Sequence, residues 1–229
     1  MIEYLVTLKL YYNNNKYADV SLYMKKYLRG KYDFFGIKTP LRKKIYKDFF
    51  SKYGYPGKNQ YTKILEELWN LPEREYQYFG IELFRRDIKN STTQTIESYE
   101  YMITQKSWWD TVDGVSINLV GPFFQRFTLM SGPFIDKWVH SDNIWLQRSA
   151  ILFQLKYKEE TNKSLLFHYI RHLSGSKEFF VQKAIGWALR ELAKSSEEDV
   201  VEFVNSNNLA PLSKREALRL IMKAKSVKK

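Results

Sequence analysis

LQRSAIL (residues 146–152), FVQKAIGWAL (180–189) and LSKREALRLI (212–221) carry the same pattern, a basic or amide residue two places before a small Ala. The alanines are Ala150, Ala184 and Ala217, spaced 34 and 33 residues apart. Thirty-five residues before Arg148 stands Asp113, and 35 after it stands Lys183. A period near 35 in helical sequence marks stacked helix pairs, because no single pair can bury its apolar face alone. The expected fold is therefore all-α, a curved α-solenoid superhelix of helix-pair repeats. One domain is expected over residues 1–229, with Asp113, Arg148 and Lys183 in register on its concave face.

Around that core nearly every segment reads as helix. Ile2–Tyr12 and Tyr17–Leu28 form the first two, and Thr39 is expected to cap a third, with Pro40 in its first turn. GPFFQRF and SGPFIDKWV read as Gly-Pro punctuation. Ser141 or Asp142 is expected to cap the helix that carries Arg148, a helix apolar almost all round.

The stretch SWWDTVDGV (107–115) holds the most unusual chemistry. At 100° per residue Trp108, Val112, Val115 and Leu119 form an apolar stripe, while Trp109, Asp113, Ser116 and Val120 line a second face. An indole and a carboxylate one turn apart suit either a site or a packed loop with an ion pair. Arg148 on its apolar helix needs a carboxylate or a phosphate. Further on, Lys183, Trp187 and Arg190 fall at i, i+4 and i+7, a Trp between two cations.

Composition restricts the chemistry. The 229 residues include no Cys, which excludes disulfides, thiolate metal sites and a Cys nucleophile. His168 and His172 lack the Glu of a zincin motif, and no metal or cofactor is expected. No apolar run approaches the length of a membrane span or a signal peptide, so a cytoplasmic monomer away from membranes is expected. The net charge of +12 is uneven: residues 1–60 carry thirteen Lys/Arg against four Asp/Glu, and residues 213–229 carry seven against one. Basic ends favour a polyanion through counterion release, and a 17% aromatic content suits stacking on bases. KYLRGKY (26–32) places Tyr27 beside Arg29, facing either a nucleic-acid groove or the next helix. Lys214 and Arg215 open the basic C-terminal run.

SWWDTVDGV, DNIWLQRSAILFQLKYK, SKEFFVQKAIGWALRE and LAPLSKREA resemble the AlkD-type HEAT-like-repeat DNA glycosylases, and the likeness spans essentially the whole chain. The resemblance implies double-stranded DNA with alkylated bases in a basic concave groove, and a nucleoid-associated role in a bacterial-type cytoplasm. It implies a catalytic Asp between two Trp, matching Asp113, Trp109 and Trp187, with Arg148 contacting DNA near the lesion. The family's second helix reaches the minor groove, which corresponds to the segment with Tyr27. Lys38, in FGIKTP, stands where relatives carry Gln, so contacts opposite the lesion are expected to differ. The activity implied is monofunctional hydrolysis of N3- or N7-alkylpurine glycosidic bonds, acting on a stacked base. Some relatives bind damaged or branched DNA without excising bases, and that is the alternative.

Overall fold

A computed structural model describes residues 2–227, with side chains through residue 223. The last residues of the basic C-terminal run lie outside the described ones. The fold is all-α, an α-solenoid, and the chain divides into two compact units, Met1–Asn90 and Ser91–Lys229. Among the described residues no helix is long and apolar enough to cross a membrane.

The first unit holds α1 (Glu3–Asn13), α2 (Ala18–Tyr27), α3 (Thr39–Tyr53), α4 (Tyr61–Asn70) and α5 (Arg74–Arg86). Its core is aromatic: Phe49 meets Tyr4 at 4.9 Å and Phe79 at 5.4 Å, both edge-on, the geometry the ring quadrupoles favour. Thr39 is the first helical residue of α3 rather than its cap, which falls on Lys38. Helix α2 buries none of its residues. What holds it is the loop that follows: Ser21 Oγ donates to the Phe34 carbonyl at 2.6 Å, and Tyr17 N–H donates to the Phe35 carbonyl at 2.9 Å.

That loop is fastened in turn by Glu75. The side chain is fully buried, and its two oxygens accept the backbone N–H groups of Phe35, Gly36 and Ile37 at 3.0–3.1 Å. Burial pushes the Glu75 carboxyl above its ordinary range, and the three N–H donors pull it back. Gly36 permits the arrangement, with φ +85° and no room for a side chain: a Cβ there would stand 2.1 Å from the Tyr17 carbonyl oxygen.

The second unit holds α6 (Thr95–Thr104), α7 (Trp109–Val115), α8 (Gly121–Arg126), α9 (Thr128–Val139), α10 (Ile144–Leu152), α11 (Lys163–Leu173), α12 (Phe179–Leu192), α13 (Glu197–Ser206) and α14 (Pro211–Val227). The repeat is visible in its bonds, which join residues 31–38 apart from one helix pair to the next. On one row Glu100 accepts from Lys137 Nζ and Trp138 Nε1, and the Phe167 and Phe203 rings stack at 4.2 Å. On the other row Ser116 meets Ser149 at 2.8 Å and Ser213 Oγ donates to the Gln182 carbonyl. An aromatic column of Trp108, Trp145 and Phe180, with centroids 4.9–5.6 Å apart, runs beside that row.

Beside the cap of α3, three further local expectations are corrected. GPFFQRF and SGPFIDKWV are not breaks: both are largely helical, with Pro122 in the first turn of α8 and Pro133 inside α9. The cap of α10 is Asn143, whose Oδ1 accepts from Trp145 N–H at 2.9 Å, and not Ser141 or Asp142. The straight helical wheel also fails past Val115, because residues Ser116–Val120 form a π-helical turn. Ser116 and Val120, expected beside Asp113, are therefore fully buried. Side chains serve the carbonyls there: Ser116 Oγ lies 2.6 Å from the Val112 oxygen, and Asn118 Nδ2 donates to Gly114.

Candidate functional site

The site grows from α7. Trp108, just ahead of the helix, is extended and buried in the aromatic column, which turns Trp109 and Asp113 away from it to half-buried positions. Asp113 and Arg148, 35 residues apart, form a bidentate ion pair: Nε to Oδ1 at 2.7 Å and Nη2 to Oδ2 at 2.9 Å. Arg148 Nη1 also donates to the Phe180 carbonyl at 2.5 Å, tying α10 to the first turn of α12.

This answers the question the sequence left open. Arg148 is 5% exposed, and its partners are a carboxylate and a carbonyl. A direct contact with DNA, as the family resemblance implied, requires this pair to open. In the present state Arg148 fixes the carboxylate. Two lone-pair sites on the Asp113 oxygens remain after the bidentate pairing, enough to accept from a water. Burial pushes the Asp113 carboxyl above the ordinary range; Arg148 pulls it down and the neighbouring Asp110 adds to the rise. Asp110 lies in the first turn of α7, where the helix dipole favours negative charge.

On α12, Trp187 is half-buried, as expected of a residue outside the core face of Val181, Ala184, Ile185, Ala188 and Leu192. Lys183 and Arg190 are expected to face DNA, with contact to the next repeat as the other reading of this helix face. Both meet Glu216 of α14, at 2.9 Å and 2.6 Å. Lys214 on α14 is half-exposed and Arg215 is exposed. In the first unit Tyr27 is 64% exposed, Arg29 is exposed at a left-handed φ of 57°, and Lys38 is exposed at the head of α3.

Two residues were missed. Glu216 carried a usable signal: it stands 33 residues after Lys183, one repeat on, as Arg148 stands one repeat after Asp113. Glu75 carried none, because its three partners are backbone groups of a loop. Among the described residues no three His, Cys, Asp or Glu side chains gather as a metal ion would need.

Comparison with known proteins places these features in context. A family model described as DNA alkylation repair enzyme matches residues 7–221. A solved structure described as a predicted DNA alkylation repair enzyme from Enterococcus faecalis is 29% identical in sequence. The match covers 89% of this chain and 95% of that one, with a TM-score of 0.82. No curated protein matches the chain.

Proposed function

The chain belongs to the DNA alkylation repair enzyme family, and we propose that within it the protein is a monofunctional DNA glycosylase for cationic N3- and N7-alkylpurines. The observation that carries this reading is the Asp113 carboxylate, half-buried, clamped in one orientation by Arg148 and one turn from Trp109. An ordinary glycosidase pairs such a group with an acid that protonates the leaving group. An N3- or N7-alkylated purine already carries a positive charge and departs as a neutral base, so the acid is dispensable. The task left is to stabilise an oxocarbenium-like sugar and direct a water to its anomeric carbon.

Asp113 suits both parts of that task. A full negative charge 4 Å from the cationic sugar, at an effective dielectric near 20, is worth about 4 kcal/mol, or roughly three decades in rate. The Arg148 charge behind the carboxylate reduces this, so the figure is an upper one. Trp109 and Trp187 add attraction between ring faces and the charged base or sugar. DNA itself is held by cations of each unit, Arg29 and Lys38 (with the neutral Tyr27 ring near Arg29 in sequence) in the first and Lys183, Arg190, Lys214 and Arg215 in the second.

The decisive experiment compares matched duplexes carrying 7-methylguanine, 3-methyladenine, 1,N6-ethenoadenine or uracil. The two cationic bases are expected to be released and the neutral ones left nearly untouched. Comparable release of uracil would mean that a general acid has been overlooked. Salt-sensitive DNA binding without release of any base would leave the non-catalytic DNA-binding reading in its place.

The pH profile gives a second test. Catalysis needs ionised Asp113, so kcat/KM rises with pH through its pKa. Burial raises that pKa, so the acid limb is expected above the ordinary Asp value of about 3.9. Arg148→Gln removes the group that lowers it and should move the limb to still higher pH. A limb at or below the ordinary value, unmoved in Arg148→Gln, would separate Asp113 from the rate.

A further inference from the structure

Glu216 is the hub of a four-residue charge cluster. Its carboxylate lies 2.9 Å from Lys183 Nζ, 2.6 Å from Arg190 Nη1 and 3.9 Å from Arg219 Nη1. Lys183 and Arg190 are seven residues apart on α12, about 10 Å along the axis, and Trp187 lies between them on the same side. One carboxylate therefore draws together two cations that flank the half-buried indole. The cluster retains two positive charges in excess. Lys183, with help from Arg190, holds the Glu216 carboxyl below its ordinary range, so it stays charged across the working pH range.

The backbone is built for this approach. Gly186 faces α14 so closely that a Cβ there would stand 2.5 Å from Glu216 Cβ and 2.9 Å from the Ser213 carbonyl oxygen. Ser213 Oγ adds a bond of 2.9 Å to the Gln182 carbonyl. Helix α14 is thereby docked on α12 with Glu216 opposite the turn that bears Trp187. The Arg190–Glu216 pair is largely shielded, at 15% and 12% exposure, and Lys183 reaches it from a more open position at 36%. The consequence is geometric: a Lys and an Arg, each rich in rotamers, are held in place before any ligand arrives, which lowers the cost of ordering them on binding.

We propose that Glu216 is a positioning residue for DNA, holding Lys183 and Arg190 as a paired phosphate clamp on either side of Trp187. The proposal rests on the DNA-binding reading above. It makes an unusual prediction of sign. Near a polyanion, removing a negative charge ordinarily strengthens binding. Here Glu216→Gln should weaken it, because the loss of preorganisation outweighs the relief of repulsion.

The test is a double-mutant cycle with the full chain and a labelled undamaged duplex, measured across a salt series. Glu216→Gln in the wild-type background is expected to raise Kd about fivefold. The same change in a Lys183→Ala/Arg190→Ala background, where nothing is left to position, is expected to lower Kd. Ser213→Ala, which removes a different α12–α14 bond, is expected to lower Tm and leave Kd unchanged. Tighter binding by Glu216→Gln in both backgrounds would make Glu216 a bystander charge and overturn the proposal. Equal weakening by Ser213→Ala would assign the effect to helix docking and overturn it as well. Wild-type protein with no affinity for DNA would sink the underlying functional reading and the proposal with it, an outcome distinct from the other two.

Discussion

Asp113→Asn is expected to lower the release of 7-methylguanine by up to three decades while leaving DNA affinity within a few-fold. The substitution is nearly isosteric and removes the charge that the developing sugar cation meets. The interaction lost is thus one made in the transition state, and kcat should fall with little change in binding. The structure adds a second consequence. Arg148 keeps the Phe180 carbonyl but loses its ionised partner in a 5% exposed position. Leaving one member of a buried pair uncompensated costs up to about 3–5 kcal/mol, less here because the Asn oxygen still accepts one bond. Tm should therefore drop, and the assay belongs at a temperature where the variant is folded, with retained duplex binding as the check. Activity within tenfold of wild type would remove Asp113 from the mechanism.

Glu75→Ala is expected to have the largest effect on folding. Its carboxylate satisfies three buried N–H groups at once, those of Phe35, Gly36 and Ile37. Each orphaned donor costs about 1–3 kcal/mol, offset in part by no longer burying a charge, which leaves a net loss of about 3–5 kcal/mol. Glu75→Gln should lose less, since its oxygen still accepts while its amide opposes a donor. The damage should spread to α2, because the loop it frees supplies the Phe34 and Phe35 carbonyls that hold that helix. Thermal unfolding and amide exchange across residues 17–38 measure both effects. Exchange in α2 unchanged from wild type would show that the helix is held by something other than this loop.

The two variants also mark how far residue patterns reach. The helical class, the period near 35 and the placing of positions 113 and 148 one repeat apart on one face were all legible in the chain. They follow from local rules: a helix declares its buried face by spacing, and stacked repeats bring residues one period apart into contact. Trp108 in the apolar stripe and Lys183, Trp187 and Arg190 off the core face of α12 follow from the same rules.

What lies opposite each face is another matter. Spacing showed that Arg148 needed an anion, but only packing decided that it is Asp113 and the Phe180 carbonyl rather than a phosphate. That Lys183 and Arg190 both meet Glu216 of the next repeat was likewise decided by packing. Glu75 looked like one more acid in a charged stretch, because backbone N–H groups leave no trace in residue type. The π-helical turn after Val115 was equally hidden: a one-residue shift in hydrogen bonding costs little locally, and tertiary contacts such as Ser116 to Ser149 and Tyr157 Oη to the Gly121 carbonyl accompany it. Periodicity reports the direction of a side chain, and the identity of its partner is decided only when the chain has folded.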